Sequence, residues 1–149
     1  MFNNLSIVNR LSRLENGLIE NKCYNQHKFL KPKTFAMSTE LRANFWKLYP
    51  LDQLNNTEWE ALCDGCGLCC LVKLEDEETA EVAYTKVACK LLDCKTARCS
   101  DYPNRQQHVA DCIQLTPERL QTITWLPPSC AYRRLNEGKN LPSWHYLNT

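Results

Sequence analysis

No apolar run in this sequence approaches the ~20 residues that span a bilayer, so no transmembrane segment is expected. Residues 1–36 also lack the unbroken apolar stretch of ~7–15 residues and the small-residue cleavage site of a secretory signal. Four Gly and seven Pro are too few for a collagen-like or low-complexity chain. Neither sign of charge dominates, with 18 basic against 17 acidic residues, which gives no global drive toward nucleic acid or an anionic membrane. Histidine is scarce: His27, His108 and His145 stand alone without ligand spacing, and His108 and His145 are expected at the surface. There is no Ser-His-Asp order, no phosphate-cradling glycine loop and no HExxH, so no catalytic motif is found.

What the sequence does have is cysteine. It holds 10, and all but Cys23 fall between positions 63 and 130. Such density means a disulfide scaffold or a metal site. With no secretory signal, a reducing cytoplasm is expected, where disulfides rarely persist, and metal is the favoured reading.

The chain is expected to divide into an extension and one domain. Residues 1–36 carry Arg10, Arg13, Lys22, Lys28, Lys31 and Lys33 against Glu15 and Glu20, and Leu5, Val8, Leu11, Leu14 and Leu18 recur at amphipathic-helix spacing. This segment reads as dispensable, with Met37 an alternative start. Residues 37–149 form the cysteine-bearing domain. Thr57-Glu58-Trp59-Glu60 has the form of a capping box, placing a short helix that ends at the cysteines. Cys63 to Cys70 must be a turn-rich loop. The acidic stretch from Glu75 to Glu81 is a solvated face. Val82 to Cys89 reads as a strand, Cys89 to Asn104 as irregular and Cys112 to Leu115 as a second short strand. Thr116-Pro117 starts a helix, and Ser129 caps a last one that stops near Gly138. The fold class is small α+β, with irregular loops around the cysteines.

The chemistry sits in Cys63-Asp64-Gly65-Cys66-Gly67-Leu68-Cys69-Cys70. Thiolates are soft ligands suited to zinc, copper(I) and iron–sulfur clusters. Cys63, Cys66 and Cys69 repeat the spacing by which bacterial ferredoxins hold three cluster ligands. Gly65 and Gly67 can take positive φ, so the loop can curl and aim N–H groups at sulfur. The adjacent side chains of Cys69 and Cys70 are expected to diverge, one of them serving a second site or simply being buried. Cys89, Cys99, Cys112 and Cys130 are the remaining candidate ligands, Cys130 at a predicted helix N-terminus that favours a thiolate. The closing ligand of the ferredoxin pattern is missing after Cys69, so a fourth would come from Cys99 or Cys112. Ligand softness and spacing favour an iron–sulfur cluster over zinc. A zinc-stabilised protein-interaction module and a catalytic or accessory metalloprotein are the alternatives. The expected partner is the metal ion or cluster, with a protein partner allowed and neither nucleic acid nor membrane.

Trp59-Glu60-Ala61-Leu62 followed by that loop resembles the signature of the YcgN-type cysteine-cluster proteins, the CxxCxxCC family. The resemblance runs over about residues 43–147, through Tyr84 to Cys89, Asp111 to Thr116, Trp125 to Arg133 and Glu137 to His145. It implies a zinc- or iron-chelating protein and supplies no reaction. Two departures accompany it. Where the family reads Lys-Thr-Cys-x-Cys, this chain has Lys95-Thr96-Ala97-Arg98-Cys99, with Cys94 as a substitute thiol nearby. The family also runs on beyond the Trp-His segment, so truncation near Thr149 is expected.

Overall fold

Two separate apolar clusters organise the chain, one in each of two compact units. The computed structural model describes residues 5–7, 18–19 and 41–148. In chain order the elements are β1 (Leu5–Ile7), β2 (Leu18–Ile19), α1 (Phe45–Leu48), α2 (Asn56–Ala61), β3 (Leu71–Asp76), β4 (Val82–Cys89), β5 (Leu92–Asp93), β6 (Arg98–Cys99), α3 (Arg105–His108), α4 (Pro117–Leu120) and α5 (Ala131–Asn136). The class is α+β, as the sequence predicts.

The first unit contains residues 65–114 together with β1 and β2. Its larger sheet has the order β1-β3-β4-β2 with every neighbour antiparallel. β4 spans the residues read from the sequence as a strand. Leu5–Ile7 and Leu18–Ile19 pair as strands rather than as the helix their spacing suggested. A sheet edge supplies backbone partners that periodicity alone does not reveal. Val8, Leu11 and Leu14 lie outside the described residues. β3 and β4 slip register between Leu71 and Lys73. Thr85 bridges the bulge: its Oγ1 donates to Val72 O at 2.9 Å and accepts from Val87 N at 3.1 Å. The acidic stretch forms the exposed tip of this hairpin, where Asp76 Oδ1 accepts from the backbone of Glu78 and Thr79. Residues 89–104 are less irregular than expected, since β5 and β6 pair Leu92 with Cys99. Residues 112–115 form no strand, because no sheet edge pairs with them and Ile113 is exposed. Among the described residues, the buried hydrophobics of this unit are Leu71, Ala88 and Leu92, with Leu68, Cys70 and Cys89 packed against them.

The second unit is larger in its core. Phe45, Leu62, Leu120, Leu126, Ala131, Tyr132 and Leu141 are buried together. α2 starts two residues before the predicted box: Asn55 is the N-cap, its side chain accepts from Glu58 N, and Glu58 returns a bond to Asn55 N. The offset has a physical cause. Asn is a stronger cap than Thr, and Glu58 is fully buried, bonded to the Nε and Nη2 of Arg42 at 2.7 and 2.6 Å. Thr116 caps α4 as expected, accepting from Arg119 N. Cys130 rather than Ser129 occupies the N-cap of α5, with no side-chain cap bond. Gly138 follows that helix at φ 69, a left-handed position that suits glycine.

Arg42, foremost through its side-chain hydrogen bond, holds the Glu58 carboxyl down at about 2 against the effect of burial. The folded value lies below the unfolded one, so this contribution is complete above pH 4.5 and is lost as pH falls toward about 2. Glu58→Ala is expected to cost about 2–3 kcal/mol, the scale of charge-assisted hydrogen bonds lost from a buried site. Its denaturation midpoint should converge with that of the parent chain as the pH is lowered through this window.

Candidate metal centre

The cysteine loop begins where α2 ends, and side chains from the end of the chain fix that point. The last carbonyls of a helix have no partner within it. Here Tyr132 Oη donates to Trp59 O at 2.8 Å, Tyr146 Oη donates to Ala61 O, and His145 Nε2 lies 3.1 Å from Leu62 O. His145 is therefore not the surface residue expected from sequence. It is fully buried, stacked on Tyr146 with ring centroids 4.8 Å apart. Leu147 N donates to its Nδ1 at 3.3 Å, which fixes the proton on Nε2 and engages both ring nitrogens. Burial pushes its pKa below the ordinary histidine value. This is a structural histidine and not a ligand. His108 is exposed, as expected, and pairs with Asp101 at 3.1 Å.

Residues 63–67 run without regular structure, and Leu68–Cys70 close a 3-10 turn in which Cys70 N donates to Gly67 O at 3.0 Å. Gly65 and Gly67 both sit in the left-handed region, at φ 72 and 71, as the loop requires. A Cβ on Gly67 would meet Leu92 Cδ1 at 3.5 Å and Ala97 Cβ at 3.6 Å. The turn containing Ala97, itself at φ 54, thus lies directly against the cysteine loop.

Cys69 and Cys70 do not diverge. The 3-10 turn brings their sulfurs to 3.8 Å. The neighbouring Cys70 thiol, with desolvation added, pushes the Cys69 thiol well above its ordinary value, while Lys73 acts in the opposite direction. Lys73 is a residue that sequence reading passed over. It is buried, and its Nζ donates to Cys69 O at 2.9 Å and Leu71 O at 2.7 Å. The signal was present in the strand alternation, which sets Lys73 on the same face as buried Leu71.

Cys89 and Cys99 each lie within electrostatic reach of Cys112. Burial raises the Cys112 thiol, charge on Cys89 or Cys99 would raise it further, and Arg105 opposes both. Cys66 belongs to the same unit. Cys63 and Cys130 belong to the other, Cys63 exposed and Cys130 packed on its apolar core. These eight cysteines are thiols, whereas Cys94 is disulfide-bonded. Among the described residues, no three His, Cys, Asp or Glu side chains are already gathered tightly enough to hold a metal ion. The donor set nevertheless suits a thiophilic metal in its chemistry: sulfur ligands, a curled glycine loop and two cations facing the sulfurs. Among the described residues, no helix is long and apolar enough to cross a membrane.

Residues 62–131 match the profile of the CxxCxxCC family, described as "Putative zinc- or iron-chelating domain". The chain is 63% identical over 105 residues to a UPF0260 protein of Pseudomonas entomophila (strain L48), an alignment covering 70% of each chain. It is 64% identical over 103 residues to one of Pseudomonas fluorescens (strain Pf0-1), covering 69% of each. For one of Parvibaculum lavamentivorans the figures are 59% over 109 residues, 73% of this chain and 71% of the relative. No solved structure matches the chain.

Replacing His145 by Ala is expected to destabilise the second unit by about 1–3 kcal/mol, since it leaves Leu62 O buried without its donor. The tryptophans at 46, 59, 125 and 144 all lie in that unit, so their emission during chemical denaturation reports it. An unchanged midpoint would show that the end of α2 is held by other contacts.

Proposed function

The chain belongs to the UPF0260, CxxCxxCC-bearing family, and on that premise we propose that it is a metal-binding protein whose cysteine thiolates hold zinc or an iron–sulfur cluster. The observation that carries this reading is a coincidence within one unit. Cys66, Cys69, Cys70, Cys89, Cys99 and Cys112 all lie in one compact unit where, among the described residues, the buried hydrophobics are Leu71, Ala88 and Leu92. The core those described residues form is small, and small domains often draw on a metal for added stability. Metal ligation supplies it, because in small metal domains binding free energy is folding free energy.

Cys66, Cys69 and Cys70 are the central ligands, with Cys63 joined to them by its C-x-x-C spacing. Cys89, Cys99, Cys112 and Cys130 are the further candidates. When bound, the metal supplies either electron transfer, as a cluster, or a rigid cross-link, as zinc. The chain's own part is to present thiolates, to aim backbone N–H groups at them from the glycine turns, and to face them with the Lys73 ammonium.

Protein purified anaerobically should contain zinc or iron in stoichiometric amount, and Cys66→Ser should lower that content. Chelation should raise amide hydrogen exchange in β3 and β4 far more than in α2 and α5. A metal-free protein with full protection of β3 and β4 would overturn the reading. Position 97 gives a gain-of-function check. Ala97→Cys sets a thiol against Gly67, and metal release to a chelator should slow by about tenfold or more, the effect of one added thiolate.

A further inference from the structure

The segment spanning residues 141–148 straps the end of α2, and one of the side chains that ties it there is ionisable. Tyr146 Oη donates to Ala61 O, and His145 Nε2 donates to Leu62 O at 3.1 Å. Leu141 and Leu147 seat the strap on the apolar core. Pro142 O accepts from His145 N at 2.9 Å and from Asn148 Nδ2 at 2.7 Å, so the strap also closes on itself around the ring. Both nitrogens of that fully buried ring face backbone groups of fixed polarity. Leu62 O can only accept and Leu147 N can only donate, so the site fits one neutral tautomer and no other state. A second proton would sit on Nδ1, facing the Leu147 N–H at 3.3 Å. Two donors would then oppose each other, with a charge added, in a site closed to water.

We propose that His145 is an acid-sensitive latch, whose uptake of one proton releases the 141–148 strap from the end of α2 while the rest of the second unit stays folded. The proton comes from solvent and binds Nδ1. The hydrogen bonds to Leu62 O and from Leu147 N break, and water takes over both backbone groups. The core of Phe45, Leu62, Leu120, Leu126, Ala131 and Tyr132 does not depend on either bond. Desolvation, opposed by the Leu62 hydrogen bond and the Asp64 charge, holds the latched ring below the ordinary histidine value of 6.5. The other groups on the neighbouring elements are engaged elsewhere or exposed. Glu58 pairs with Arg42, Arg133 with Glu137, Arg134 donates to Asn140 O, and Glu60 is exposed. The phenols of Tyr132 and Tyr146 donate to Trp59 O and Ala61 O. The released ring regains the ordinary value, so the released state binds more protons. The latch is complete above pH 6.5 and is lost as pH falls below it.

The test uses the full chain and reads amide hydrogen exchange residue by residue, as protection relative to the unfolded rate, from about pH 7.5 to about pH 5, the range in which histidine changes charge. Protection of the Leu147 and Asn148 amides should fall by about tenfold per pH unit once the pH is below the ordinary histidine value, the slope of a one-proton step. The amides of α5 should keep theirs. His145→Gln retains a donor for Leu62 O but has no proton to gain, so its strap should stay protected throughout. His108→Gln should behave as the parent chain. Thiol protonation is common to all three proteins and cancels in the comparison. Protection of the strap that does not change with pH would overturn the latch. So would an unaltered pH dependence in His145→Gln, or a loss in α5 that keeps step with the strap. If the Gln variant does not fold, the ring resonances of the parent chain decide. His145 should gain its proton in the same pH window in which the Leu147 amide loses protection, and a protonated ring beside a protected amide would overturn the proposal. These readouts are independent of metal content, so their failure leaves the metal-binding reading intact.

Discussion

A sheet with three buried apolar side chains beneath it cannot by itself offset the conformational entropy of ordering the backbone around it. That constraint bears on the first unit, where, among the described residues, Leu71, Ala88 and Leu92 are the buried hydrophobics. Two of the side chains that complete this cluster, Cys70 and Cys89, are themselves candidate ligands. Metal binding, as proposed, and core packing would draw on the same side chains in this unit. The thiols that would hold the metal also close the apolar layer, so loss of a bound metal would loosen the sheet, and loosening of the sheet would disperse the thiols.

The second unit meets a different demand. Seven hydrophobics are buried together there, and among the described residues Trp46 Nε1 is the buried side-chain polar atom left without a hydrogen-bond partner. Glu58 serves twice, as the reciprocal member of the α2 capping box and as the buried partner of Arg42. At the other end of the same helix, two tyrosines and a histidine complete the orphan carbonyls. A six-residue helix is too short to be stable alone, and here both of its ends are tied. Cys63 follows immediately after, so its position is set by hydrogen bonds rather than by the flexibility of a loop.

The sequence carried the strand at 82–89, the α4 start at Thr116 and the positive φ of Gly65 and Gly67, because each depends on local chemistry. It failed where a distant partner decides. Leu5–Ile7 has helical spacing but pairs with β3, and the α2 cap moved to Asn55 because Glu58 must meet Arg42, 16 residues away. His145 lacks ligand spacing, and so reads as a surface residue until Leu62 O, 83 positions earlier in the chain, is seen to need a donor. For the site, the ligand types and the glycine hinges were legible. The convergence of Cys69 with Cys70 was not. Side chains on neighbouring residues point apart in an extended strand, and only the 3-10 turn at Leu68–Cys70 turns them together.

Charge supplies the last connection. Two thiolates neutralise one divalent ion, and every further thiolate leaves a negative charge that a poorly hydrated site must balance. Among the described residues the cations facing the sulfurs are Lys73, beside Cys69 and Cys70, and Arg105, beside Cys112. They differ in kind. Lys73 is buried, and burial lowers its pKa while charge on Cys69 and Cys70 raises it. Its ammonium favours the charged form of the Cys69 sulfur, and negative charge on the sulfurs favours the ammonium. Buried lysine is rare because its charge is costly away from water. Here Lys73 donates to two carbonyls and lies beside the Cys69–Cys70 pair, so hydrogen bonds and nearby sulfur offset that cost.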